Sequence, residues 1–342
     1  MKTSPFRAVF KRPSTAMEKY LLAIIIGYIV IVALKNPLFF SVETLFDMLR
    51  SGSGVMILAI GVLIVLVSGG IDVSFTAIAV VSGYTSVKLM LALGIDNILF
   101  AFVVSIVVGC LLGAINALII HRFNLPTLIV TLGTASAYHG LMATVLGTKS
   151  FPTAAMPQSL VNFGSTDLIV IDSDTGRYGL TVFLPIVIAV LVLTWFILYR
   201  TMLGRQVFAV GSNEESASRL GINIFRTKLF VYSYSGALSG LMGIIYFSEL
   251  KYVNPVSLVG TELMIIAAVV IGGAKLTGGE GTILGTILGI VVVQLFQSTL
   301  VFLGLGSSWN DLFFGAVLLI SLGVMYYRQR IQDRKNLVFA TA

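Results

Sequence analysis

The feature that most constrains this chain is a recurrence of apolar runs free of Asp, Glu, Lys and Arg. A helix needs about 20 mostly apolar residues to cross the hydrocarbon of a bilayer. Runs of this kind fall at 20–34, 51–71, 73–87, 97–120, 124–147, 180–199, 229–248, 263–274, within 281–310 and at 312–327. They predict an all-α membrane protein of about ten transmembrane helices, because in lipid the backbone must satisfy its own polar groups. Composition agrees: 11% of the residues are charged, against roughly 25% in a soluble chain. So few charges cannot cover a water-facing surface.

The runs divide the chain into a tail (1–19), a polytopic unit (20–328) and a second tail (329–342). The basic start, 1–19, precedes an apolar run with no small-residue cleavage site, so it reads as a cytoplasmic tail before an uncleaved helix. Two polar segments interrupt the unit. Segment 148–179 holds Pro152, Pro157, Asp167, Asp172 and Asp174 and reads as an outer loop; 200–228 reads as an inner one. Ten spans place both termini on one side. That side then carries 16 basic and six acidic residues, a net charge of +10. The other carries six basic and nine acidic, a net charge of −3, and the two account for the overall +7. Cytoplasmic loops are the basic ones, so the termini are predicted cytoplasmic. The basic balance then faces an anionic leaflet and does not call for nucleic acid.

Several chemistries are not predicted. Cys110 is alone, and the two histidines, His121 and His139, form no cluster with it, so no metal or cofactor site is expected. No span carries a nucleophile with a base or a paired acid and base, which argues against an enzyme. The chain lacks G-x-x-x-x-G-K-[ST], so it cannot cradle nucleotide phosphates that way.

Glycines mark the interesting places. Ser68-Gly69-Gly70-Ile71-Asp72-Val73-Ser74 breaks the helix between the second and third spans. Adjacent glycines free backbone polar groups there. Asp72 is an N-cap candidate for the next helix, a lining residue of a transport path, or both. A second break, Gly272-Gly273 through Gly278-Gly279, separates the eighth and ninth spans. Short or interrupted segments in both halves of a membrane protein point to a transport path. Gly109 with Gly113, Gly236 with Gly240, and Gly281, Gly285 and Gly289 are spaced four apart, which suits close helix packing within the bundle or dimerisation.

In the inner loop, Asn213 can cap a helix, Glu214 and Glu215 suit its first turn, and Gly221 can end it after Arg219 and Leu220, just before Ile222. This predicts a short amphipathic helix lying on the cytoplasmic side. Thr127, Thr131, Thr134 and Tyr138 share one face of the fifth span; Gln294, Gln297 and Ser298 share a face of the ninth, and Asn116 lies in the fourth. With Gly70, Asp72 and Ser74 they are candidates for lining a transport path. The competing reading is that they bond their own helices or glue neighbours together.

These motifs resemble the permease subunits of ribose-, galactose- and autoinducer-2-type bacterial ABC sugar importers. Ser68–Ser74 looks like that family's signature after the second helix. Gly204-Arg205-Gln206-Val207-Phe208-Ala209-Val210-Gly211 through Ile222 looks like its coupling loop. Leu125–Gly133 and Val269–Gly289 also match. Two departures stand out: Phe75-Thr76-Ala77 occurs where the family has small residues, and Glu214-Glu215 where Asn-Pro or a small residue is common. The resemblance implies a type II-like permease, multi-pass in the bacterial inner membrane. A second permease subunit, identical or paralogous, would complete the pathway, and a cytoplasmic ABC ATPase would grip Asn213–Ile222 and hydrolyse ATP. A periplasmic or lipid-anchored sugar-binding protein would deliver the solute. An ion-coupled secondary transporter is the alternative, with Asp72 and Glu262 as its candidate coupling carboxylates.

Overall fold

The computed structural model describes residues 15–173, 176–300 and isolated positions between 302 and 323. The expected tenth span (312–327), most of the N-terminal tail and the whole C-terminal tail lie outside the described residues, isolated positions apart. Helices α1 (Thr15–Lys35), α2 (Val42–Val67), α3 (Phe75–Leu93), α4 (Ile98–Phe123) and α5 (Thr127–Leu141) follow in order. A π turn, Met142–Leu146, prolongs α5. After β1 (Phe151–Pro152) come α6 (Gln158–Ser165), β2 (Asp167–Ser173) and β3 (Gly176–Thr181). Then follow α7 (Phe183–Arg200), α8 (Met202–Ser212), α9 (Glu214–Arg219) and α10 (Ile224–Leu250). The last described elements are β4 (Tyr252–Val253), α11 (Glu262–Ile271) and α12 (Ile283–Thr299). Seven of these helices are long and apolar enough to cross a membrane: α1 to α5 (α5 with its π turn), α7 and α10. Helices α11 and α12 are shorter and apolar.

The ends of these helices have local causes. The Ser41 hydroxyl caps α2 by accepting from the Thr44 amide at 3.1 Å. The Asn97 side chain caps α4 by accepting from Leu99 N at 2.8 Å, and Thr282 caps α12 through Gly285 N at 3.0 Å. Gly94 ends α3 with φ of 66°, a left-handed conformation open to a residue without Cβ. Helix α2 begins well before its charge-free stretch and carries Glu43, Asp47 and Arg50. Segment 148–179, read from sequence as a loop, is folded: it holds α6 and an antiparallel hairpin of β2 and β3, while β1 pairs with β4, Phe151 opposite Val253.

Helix α10 is the centre of the bundle, packed on α4, α3 and α2. The glycine spacing explains how closely. Gly109 and Gly113 of α4 lie against the backbone of α10 at Gly236, Gly240 and Tyr232, and Gly285 and Gly289 of α12 lie against α11. A Cβ at any of these four positions would meet backbone. These glycines therefore serve contacts inside one chain, where van der Waals packing replaces the missing hydrophobic drive between helices in lipid. The outward faces of α4, α5 and α7 are apolar, with Leu99, Val103, Leu132 and Val192 exposed.

The bundle has two distinct ends. At one, Arg50 donates to the Gly164 carbonyl at 3.1 Å and pairs with Asp167. There, too, Asp96 accepts from the Ser159 amide, and Thr153 donates to the Lys251 carbonyl. At the other end the two glycine breaks and segment 202–223 meet.

Candidate functional site

The first break, between α2 and α3, is neither helix nor strand; Gly69 N and Gly70 N turn back to the Leu66 and Val65 carbonyls of α2, and the amides of Ile71 and Val73 lie beyond that turn. Two threonines on α5 serve those two amides. Ile71 N donates to Thr127 Oγ1 at 2.9 Å, and Val73 N to Thr131 Oγ1 at 3.3 Å. The Thr131 hydroxyl is also 3.2 Å from the Ile71 carbonyl. Residues four apart on a helix face one way, so this pair offers its hydroxyls to two amides of the break. Asp72 is 3% exposed. Its carboxylate accepts from the Ser74 amide at 2.7 Å and the Ser74 hydroxyl at 2.6 Å. Asn116 Nδ2 donates to Ser74 Oγ at 2.7 Å. The Tyr138 hydroxyl lies 2.9 Å from Asn116 Oδ1 and 2.8 Å from the Leu112 carbonyl.

Asp72, Ser74, Asn116, Thr127, Thr131 and Tyr138, singled out on three separate stretches of sequence, thus form one connected network. Asp72, Ser74, Asn116, Thr131 and Tyr138 are buried. Thr134 is separate; its hydroxyl bonds back to the Thr131 carbonyl at 3.3 Å within α5. Gly70 has a packing requirement: the Tyr232 hydroxyl occupies the place a side chain at Gly70 would need. Tyr232, fully inside the bundle, escaped the sequence reading because a tyrosine in an apolar run carries no distinguishing signal.

The second break lies directly against the first. Gly279 N donates to the Val67 carbonyl at 2.9 Å, satisfying an acceptor left over at the C-terminus of α2. Gly278 and Gly279 have φ of 89° and 77°. Gly211, the penultimate residue of α8, completes the junction. Its Cα is packed against Gly69, and a side chain there would run into the Val67 carbonyl and the Gly279 amide. Gly272 ends α11 and packs on the Gly285 backbone, while Gly273 follows with φ of 96°. Three remote pieces of chain therefore meet with no side chain between them.

Helix α9 hangs from this junction. The Asn213 side chain accepts from Ser216 N at 2.7 Å. Glu215 pairs with Arg219 on the helix surface, and Glu214 with Lys228 at 2.8 Å. Leu220 is 81% exposed, an apolar side chain at the tip of a charged turn. Gly221 reverses the chain with φ of 81°, and Ile222 N returns to the Ala217 carbonyl. Far from here, on α12, Gln294 donates to Ser51 Oγ at 2.6 Å, and Gln297 donates to Met264 Sδ at 3.1 Å. The two glutamines join α12 to different neighbours and do not enter the Asp72 network.

Residues 44–322 match a family model described as branched-chain amino acid transport system / permease component. The chain is 32% identical to the ribose import permease protein RbsC of Haemophilus influenzae over 309 residues, 89% of this chain and 91% of that protein. It is 31% identical to RbsC of Escherichia coli K12 over 324 residues, 92% and 95% of the two. It is also 32% identical to the autoinducer 2 import system permease protein LsrC of Yersinia pestis over 295 residues, 86% of this chain and 79% of that one. No solved structure matches the chain.

Proposed function

Because the chain belongs to the branched-chain amino acid transport system / permease component family, and is a multi-pass inner-membrane permease subunit with no catalytic role of its own, we propose that it imports a small neutral sugar or related polyol with energy from a separate ABC ATPase. The relatives named for ribose and autoinducer 2 import support that solute class. The observation that carries the reading is the junction of Gly69, Gly211 and Gly278. Helix α9 is the grip for the ATPase: it exposes Glu215, Arg219 and Leu220. A push on α9 reaches the C-terminus of α8, and there is no soft side chain to absorb it before both helix breaks. Densely packed contacts of this kind transmit displacement because interiors are close-packed and poorly compressible.

The end of the bundle with α8 and α9 is cytoplasmic in this account, and the end with α6 and the hairpin is external, where a sugar-binding protein delivers the solute. The excess of basic residues on the α8–α9 side supports that orientation. A second permease copy or paralogue completes the conduit. The network around Asp72 frames the first break.

ATP-dependent uptake of radiolabelled D-ribose, D-galactose and D-xylose by vesicles containing the chain and its ATPase tests the proposal. Deleting residues 213–222 abolishes uptake and leaves the chain inserted in the membrane. ATP-dependent uptake that persists after the deletion overturns the role of α9, and uptake that needs no ATPase favours an ion-coupled carrier.

A further inference from the structure

At the end of the bundle opposite the glycine junction, a cavity of about 330 Å³ opens between α2, α10 and α12. This lies within the roughly 300–1,000 Å³ range of small-molecule sites. Its polar wall is made by Thr44, Asp47, Arg50, Ser51, Glu249 and Ser298. Arg50 is held in place: it pairs with Asp167 and donates to the Gly164 carbonyl. Asp47, three residues before it on α2, and Glu249 of α10 line the same cavity. Among the described residues, neither of those carboxylates has a hydrogen-bond or ion-pair partner. Below the cavity, Gln294 donates to Ser51 at 2.6 Å and reaches Ser298 at 3.4 Å, so polar groups continue inward along α12.

We propose that this cavity is the outer acceptor site of the permease, taking a neutral polyhydroxylated solute of about monosaccharide size. The inference rests on the reading of the chain as a sugar permease and goes beyond it by assigning the residues. A carboxylate accepts hydrogen bonds from hydroxyl groups, and bonds to a charged group are the strong ones. Asp47 and Glu249 offer such acceptors and Ser298 offers a hydroxyl, while Ser51, which donates to the Asp47 carbonyl and accepts from Gln294, stiffens the wall. The cavity's arginine is already committed to Asp167, so among the described lining residues no free cation awaits an anion. The site therefore favours free sugars over sugar phosphates or sugar acids.

Proteoliposomes holding the chain with its ATPase and binding protein test this, with radiolabelled D-ribose as the probe. In the double variant Asp47→Asn/Glu249→Gln, which keeps shape and removes charge, sugar imported per ATP hydrolysed falls about tenfold or more, as expected for losing charged hydrogen bonds. An unchanged ratio overturns the assignment, as does a fall in import and ATP hydrolysis together at an unaltered ratio. A Ser298→Cys substitution in a Cys110→Ala background gives a second measurement. Excess D-ribose slows its labelling by an impermeant maleimide and D-ribose 5-phosphate does not; equal labelling with and without ribose contradicts the site. If the unsubstituted chain imports neither D-ribose nor D-galactose nor D-xylose, the functional reading itself falls, and this site with it. Import by the unsubstituted chain with no effect of the variants removes the site alone.

Discussion

Two polar regions of this bundle use similar side chains to opposite ends. Around Asp72, every group in the network has a partner within the chain, and the carboxylate is spent on the amide and hydroxyl of Ser74, the residue before α3. Around Glu249, two acids, an arginine and hydroxyls line an open cavity, and both carboxyl groups lack partners among the described residues. Buried polar groups that are fully paired rigidify a fold. Polar groups facing a cavity leave their bonding capacity for something that enters it. Position in a membrane helix alone therefore does not mark a residue as part of a path; what decides is whether the chain has already used its hydrogen bonds.

The contrast can be broken by substitution. The largest effect is expected at the junction. Gly211→Val places a side chain into the Val67 carbonyl and the Gly279 amide, so uptake is lost and the melting temperature in detergent falls; a Gly211→Val chain that transports normally removes the junction from the account. Next comes Thr131→Val, which keeps the shape and strips the hydroxyl that serves Val73 N and the Ile71 carbonyl. Each buried group left unpaired costs about 1–3 kcal/mol. Thermal unfolding should show that loss, whereas Glu249→Gln should leave unfolding nearly unchanged and act on transport. Reversed results would mean the two regions have been assigned the wrong way round. Tyr138→Phe is milder, about 1 kcal/mol, because its hydroxyl donates to only one of Leu112 O and Asn116 Oδ1 at a time.

The smallest effect concerns Asp96, in the loop after α3. Hydrogen bonding from Ser159, whose amide is 2.8 Å away, holds the Asp96 carboxyl below its usual range. A lowered folded-state value means that the contact contributes fully above the ordinary carboxylate value of about 3.9 and fades as pH falls through the lower, folded value. Limited proteolysis of segment 151–181 at decreasing pH should show late loosening, and Asp96→Asn should remove that dependence. Protection that weakens as pH rises would contradict the sign.

Much of the bundle was legible because lipid imposes a simple rule. Charge-free runs located the helices, and doubled glycines located both breaks. Asn213 and Gly221 marked the ends of α9. The glycines spaced four apart pointed to close packing without naming the partner helix, which needs three dimensions. The same rule hid the outer cavity. Cutting spans at charged residues began the second at residue 51 and ended the seventh at 248, which left Asp47, Arg50 and Glu249 just outside. In the folded chain α2 and α10 continue through those positions, and Arg50 is held by Asp167, 117 residues away. Nor could hydropathy show that segment 148–179 folds, because α6 depends on packing its Gly164 against the Ser248 backbone of α10.

The central claim is that this protein has one end that receives force and another that receives solute, on opposite sides of a membrane. Labelling single cysteines with an impermeant reagent tests it most directly, in a Cys110→Ala background in oriented vesicles. Glu215→Cys should react only from the cytoplasmic side and Lys149→Cys only from the external side. Reaction of both from the same side would contradict the account.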